Sequence, residues 1–143
     1  MISSELILRF FLYGCLGVLV EILFTSISHL IFHRDWSLKG HSYLWMFPIY
    51  GLIVIFENIA PVIAHWPWLI RFVVYALGIT AVECLTGFVL EKIVGRCPWD
   101  YSGKKFAINA YIRWDYIPLW GIFGMVLEPI CRFLVKVSPL LLS

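Results

Sequence analysis

Four glutamates carry the strongest chemical signal in the sequence: Glu21, Glu57, Glu83 and Glu128, each set within a long apolar run. A charged side chain at the bilayer centre costs about 2.5–3.5 kcal/mol even on the forgiving insertion scale. Each acid must therefore be protonated, paired or bound to a cation, and each should turn away from lipid. Their neighbours sort them into two kinds. Arg9 and Arg71 lie at depths that suit Glu57 and Glu128, and Arg132 follows Glu128 at i+4, the favourable order for a helix pair. These five residues read as structural ion pairs. Glu21 and Glu83 have no cation so well placed; with Thr25, Thr80 and Glu91 they form the candidate substrate- or ion-binding set. A proton, a cation or a bound polar headgroup would each account for them. The plainer alternative is that they too only join helices.

Helical spacing supports inward placement. Gly14, Gly17, Glu21, Thr25 and Ser28 fall at steps of three or four, a narrow stripe of small and polar residues. Ala76, Thr80, Glu83, Gly87 and Glu91 repeat it. Small residues beside polar ones let helix backbones approach closely in lipid. The expectation is that the first and third helices meet near a common axis, with Glu21 and Glu83 facing it.

The elements that position these residues follow from composition. The chain has 143 residues, 62% of them hydrophobic and 14% charged, with a mean hydropathy of +0.89. Soluble chains carry about a quarter charged residues, so lipid must cover much of this surface. A net charge of +2 is too mild to argue for nucleic acid. About 20 apolar residues span a bilayer core, and four stretches qualify: residues 6–32, 43–64, 68–94 and 116–142. The first lacks the basic flank and cleavage site of a signal peptide and reads as a retained helix. Prolines 48, 61, 118 and 129 are expected as kinks, tolerated where neighbouring helices satisfy the freed carbonyls.

Tryptophans 36, 45, 66, 68, 99 and 114, with Tyr116, cluster at span ends as an aromatic belt. Arg34, Lys39, Lys92, Arg96, Lys104, Lys105 and Arg113 concentrate in or beside loops one and three, which places those loops in the cytoplasm.

The halves of the chain resemble each other. Arg9-Phe10-x-x-Tyr13 matches Arg71-Phe72-x-x-Tyr75 at an offset of 62 residues, and Val20-Glu21-x-Leu23 matches Val82-Glu83-x-Leu85 in the same register. Pro48-Ile-Tyr-Gly51 resembles Pro118-Leu-Trp-Gly121, and Glu57 falls close to the place of Glu128. Two helices per repeat return the chain to its starting side, so the halves should lie parallel about an axis along the membrane normal. The fold class expected is all-α, a four-helix transmembrane bundle of two parallel two-helix repeats, about 6–64 and 68–142 in one membrane domain.

Other constellations are weaker. His29 and His33 stand at i, i+4, a spacing that can bind zinc, but nothing demands a third ligand. Cys15, Cys84, Cys97 and Cys131 show no C-x-x-C pair and read as buried thiols. No catalytic triad order, glycine-rich phosphate loop or Walker motif is present, so no catalytic residue, metal site or cofactor is assigned. Loop three carries an unusual string, Cys97-Pro98-Trp99-Asp100-Tyr101-Ser102, whose Trp99-Asp100 echoes Asp35-Trp36. It reads as a tight turn with an anchored Trp and an Asp serving backbone N–H groups, or as a headgroup or substrate contact.

At these residues the chain resembles the four-span transmembrane protein 229 family and bacterial membrane proteins called ABC-transporter type IV, or CmpB-like. The likeness runs from Arg9 to about Glu128. It rests on Tyr13-Gly14, Glu21-x-x-Phe24-Thr25, Ile49-Tyr50-Gly51, Glu57, Val82-Glu83-Cys84-Leu85-Thr86-Gly87-Phe88 and the Cys97–Ser102 string. The resemblance implies an integral, multi-pass membrane protein, in the inner membrane if bacterial. An ATPase partner is implied by the resemblance alone.

The leading functional expectation is a small transporter or channel-like protein, open to homo-oligomerisation in the lipid bilayer, with a carboxylate-lined site at the repeat seam. The alternative is a non-catalytic scaffold or partner subunit of a transporter whose acids pair helices. A lipid-acting enzyme ranks last, since no nucleophile–base pair is evident.

Overall fold

A computed structural model describes residues 3–142. Helix α1 (Ser4–His33) is followed by a second apolar segment built from α2 (Met46–Gly51), a 3-10 run (Leu52–Ile55) and α3 (Phe56–Ile63). Then come α4 (Trp68–Val94), a 3-10 turn (Trp114–Tyr116) and α5 (Ile117–Leu141). Among the described residues the fold is all-α, and β pairing is confined to one isolated bridge between Ala107 and Arg113. Local chemistry sets the helix ends. Ser3 Oγ accepts the Leu6 N–H at 3.2 Å at the start of α1. At its end Arg34 turns left-handed (φ 53°) and donates its N–H to Leu30 O. Gly95 does the same for α4 at φ 82°, a conformation that costs a residue without Cβ little.

The four segments Ser4–His33, Met46–Ile63, Trp68–Val94 and Trp114–Leu141 are each long and apolar enough to cross a membrane. Only 17–33% of their most apolar stretches is buried within the chain. Phe11, Leu19, Leu85 and Phe133 lie more than half exposed. An apolar surface so extensive requires a hydrocarbon solvent, and the protein is an integral membrane protein. Pro48 and Pro118 sit in the first turns of α2 and α5, where an N–H has no intrahelical partner anyway. Pro61 and Pro129 lie within α3 and α5.

The chain divides into two compact units, one of residues up to Asn58 together with those from Cys131 onward, the other Ile59–Ile130. In the first, the glycines of α1 admit the rings of α2. A Cβ on Gly14 would meet the Phe47 ring at 2.8 Å, one on Gly17 would meet Tyr50 Cγ at 2.2 Å, and Gly51 admits Phe10 in return. The second unit packs α4 on the first half of α5 in the same manner, with Gly121 facing Phe72 and Gly124 facing Tyr75.

Both long loops fold back on the helix they follow. Residues 38–42 return along α1. Ser26 donates its hydroxyl to Leu38 O, and Thr25 Oγ1 both donates to His41 O (3.0 Å) and accepts from His41 N (2.9 Å). Loop three does likewise on α4, setting the Tyr111 ring and Cys97 Sγ beside Gly87. Each loop begins with a similar turn: Asp35 Oδ1 accepts the Ser37 N–H at 2.9 Å and Asp100 Oδ1 the Ser102 N–H at 2.8 Å.

Candidate functional site

Two of the four acids are neutralised by arginine. Arg9 Nε lies 2.9 Å from Glu57 Oε1, Tyr13 donates its hydroxyl to the same oxygen at 2.7 Å, and Arg9 Nη1 donates to Ser138 Oγ at 2.7 Å. In the other unit Arg71 Nη1 bonds Glu128 Oε1 and Oε2 at 2.8 and 2.6 Å, and Tyr75 donates to Oε1 at 2.5 Å. Each arginine and its tyrosine stand four residues apart, so both reach the same carboxylate from one helix face. Arg132 is exposed.

The helices reach this matched geometry with different numbers of residues. Glu57 follows Gly51 by six residues, whereas Glu128 follows Gly121 by seven. On an α-helix, one residue fewer would swing the acid by about 100°. The 3-10 run Leu52–Ile55 removes most of that difference, since it turns about 120° and rises about 2.0 Å per residue. Six residues containing it turn about 680° and rise about 11 Å, against about 700° and about 10.5 Å for seven α-helical residues. Tighter winding keeps Glu57 on the arginine face.

Glu21 and Glu83 meet only neutral donors. Glu21 Oε2 accepts from Ser42 Oγ at 2.9 Å and from Tyr50 OH at 3.1 Å. Glu83 Oε1 accepts from Tyr101 OH at 3.0 Å, and its Oε2 from Trp120 Nε1 at 2.9 Å. In each case one donor comes from the folded-back loop and one from the aromatic residue of the Pro-x-aromatic-Gly stretch. Among the described residues neither acid has a basic partner within 4.0 Å. Of the other candidates, Thr25 serves the His41 backbone and buried Thr80 donates to Ala76 O at 2.7 Å. Glu91 is exposed and accepts from Tyr111 OH, which pushes the Tyr111 phenol up to about 12.

The Cys97–Ser102 string is divided in use. Tyr101 reaches Glu83, and burial with that acid's charge raises its phenol. Asp100 and Ser102 form the turn, whose hydrogen bonds hold Asp100 below the ordinary carboxylate range. Cys97 is buried, which raises its thiol. Trp99 Nε1 is buried without an acceptor. Nearby, Arg113 forks onto Asp115 at 3.0 and 2.7 Å and lies 4.3 Å from the centre of the Tyr116 ring. The His29 and His33 rings lie 4.6 Å apart, tilted by 37°, and His29 Nδ1 is 4.0 Å from Asp35 Oδ2. Among the described residues no three His, Cys, Asp or Glu side chains gather as metal ligands.

Several partners carry no site role in the sequence reading: Tyr13, Tyr75, Tyr50, Trp120, Ser42 and Ser138, and Tyr116, which it reads only as part of the aromatic belt. Tyr13 and Tyr75 had a signal, the fixed spacing from each arginine, and so had Tyr50 and Trp120 within the matched Pro-x-aromatic-Gly stretches. Ser42 and Ser138 had none. No solved structure matches the chain. A family model described as "Putative ABC-transporter type IV" matches residues 8–141, nearly the whole length, and the chain belongs to that family.

Proposed function

We propose that the protein is a small transporter or channel-like protein in which Glu21 and Glu83 bind a proton, a cation or a polar solute. One contrast supports the reading: Glu57 and Glu128 are neutralised by arginines, while Glu21 and Glu83 are held by hydroxyl and indole donors alone. A carboxylate held by neutral donors alone has no paired countercharge, so a proton or one positive ligand would neutralise it in place; intramembrane acids of this kind mark ion and substrate paths. Thr25, Thr80 and Glu91 line the same helix faces in this reading. The matched contacts favour two parallel repeats, about 6–64 and 68–142, each supplying one such acid. Loops one and three, which hold most Lys and Arg, face the cytoplasm, and in a bacterium the protein sits in the inner membrane. A nucleotide-binding motif is absent from these 143 residues, and an ATPase partner fits the family description.

The rival reading is a scaffold or partner subunit whose acids only join helices. It is favoured by the two donors that each of Glu21 and Glu83 already has. Proton flux into liposomes, driven by an imposed potential and read with an enclosed pH dye, separates the two. Glu21→Gln keeps an oxygen for Ser42 and Tyr50, Glu83→Gln keeps one for Trp120 while its amide can donate to the Tyr101 oxygen, and both should abolish flux in protein that remains folded. Unchanged flux would leave the scaffold reading in place.

A further inference from the structure

The surroundings of Glu83 point to the class of ligand. Three rings stand edge to face beside it: Tyr101 and Tyr116 with centroids 5.8 Å apart at 89°, and Tyr116 and Trp120 at 6.3 Å and 82°. Two of them, Tyr101 and Trp120, donate their polar hydrogens to the carboxylate. Their ring faces remain as negative quadrupole surfaces, which attract cations. One cation is already there. The Arg113 guanidinium carbon lies 4.3 Å from the Tyr116 centroid and 5.7 Å from that of Tyr101. Its Nε and Nη2 go to Asp115, which pairs with its charge, and its Nη1 donates to the Tyr116 hydroxyl at 3.3 Å. The wall therefore receives a guanidinium, while the acid beside it has, among the described residues, no basic partner within 4.0 Å.

Resting on the reading of Glu83 as a binding carboxylate, we infer that this site takes a weakly hydrated organic cation of the guanidinium or small quaternary ammonium class. Arg113 competes with it for the face of Tyr116. Hard metal cations fit the donors poorly. Calcium takes about six to eight oxygen ligands and magnesium a near-ideal octahedron, whereas Trp120 offers only an N–H, leaving the Glu83 carboxylate and the Tyr101 hydroxyl oxygen as the oxygens of this group. A guanidinium or quaternary ammonium is weakly hydrated, needs no oxygen cage and gains from aromatic faces. Glu83 then supplies the charge and the rings supply selectivity.

Purified full-length protein in detergent, followed by tryptophan fluorescence, tests this. Millimolar guanidinium chloride and tetramethylammonium chloride should each give a saturable change that sodium chloride at equal ionic strength does not. Glu83→Gln should weaken binding at least tenfold and Tyr116→Leu several-fold, while Arg113→Gln, which vacates the ring face, should tighten it several-fold. An equal response to sodium overturns the inference, as does binding unaltered in Tyr116→Leu and Arg113→Gln, variants that leave the carboxylate and its donors in place should Glu83→Gln fail to fold. Loss of proton flux in Glu83→Gln without any organic-cation binding overturns this inference and leaves the transport reading. Saturable binding with unchanged flux in Glu83→Gln does the reverse.

Discussion

Replacing Gly17 by alanine should destabilise the first unit through Tyr50, the residue that also holds Glu21. The added Cβ would stand 2.2 Å from Tyr50 Cγ and 2.5 Å from Tyr50 Cβ, where carbon atoms prefer about 3.5–4.0 Å. Tyr50 must retreat by more than about 1 Å. Because its own Cβ is among the atoms struck, the α2 backbone moves with it. Overpacking of this kind costs about 1–3 kcal/mol. The retreat also breaks the 3.1 Å hydrogen bond to Glu21, worth about 1.5–3 kcal/mol when the acceptor is ionised. Alanine returns only about 0.5–1 kcal/mol of helix preference. The expected net loss is about 2–5 kcal/mol.

Gly78→Ala on α4 is the control, because no atom lies within 4 Å of its added Cβ. It should stabilise by about 0.5–1 kcal/mol. Both are read from SDS titrations in mixed micelles followed by far-UV circular dichroism. Combining Gly17→Ala with Tyr50→Phe should cost less than the sum of the two changes, since the hydrogen bond is lost only once. Should the two alanine variants fall within about 0.5 kcal/mol of each other, close approach at Gly17 does not position Tyr50.

Three further outcomes follow from the paired acids, the 3-10 run and loop one. Arg71→Met or Glu128→Leu alone should cost about 3–5 kcal/mol, and the double variant should return close to wild type; additive losses in the same titration would show the pair uncoupled. One alanine inserted between Ile53 and Val54 should be absorbed as that run relaxes to α-helix. The same insertion between Ile122 and Phe123 turns Glu128 about 100° from Arg71 and should abolish folded protein by gel filtration; equal yields would contradict the winding argument. The Ser37 N–H and Lys39 hold the Asp35 carboxyl at about 2, below its unfolded value of about 3.9. Its stabilisation is therefore complete above about pH 4 and lost as pH falls through about 2. Asp35→Asn should remove that part of the acid sensitivity, and parallel wild-type and variant curves between pH 5 and 2 would refute it.

The four spans are legible because lipid imposes a minimum apolar length on every crossing segment. The stretches at 6–32 and 68–94 lie within a residue or two of Ser4–His33 and Trp68–Val94. The second span is less readable. Leu52-Ile53-Val54-Ile55 contains no helix breaker, and its tighter winding left one trace, the single-residue mismatch between the Gly51–Glu57 and Gly121–Glu128 intervals. The candidate site divides the same way. Acids and arginines stand out because charge is rare in hydrocarbon, so their pattern is informative. The loop contributions do not. Thr25 and Ser26 bind backbone atoms of His41 and Leu38, and a backbone acceptor has no residue code. Ser42 and Tyr101 reach Glu21 and Glu83 only because their loops return along α1 and α4. Such a return depends on tertiary packing and is invisible to hydropathy.

The first unit is discontinuous in the chain, since it needs the residues from Cys131 onward. Every residue of the second unit is joined before that stretch is made, and domains tend to fold in order of synthesis. Until the last helix is finished, the guanidinium of Arg9 lacks Ser138, and the places of Cys131 and Leu134, both buried in the finished molecule, stand open. Completion of the first unit therefore waits for residues beyond Ile130, and a chain released at residue 130 would hold every residue of the second unit but only part of the first.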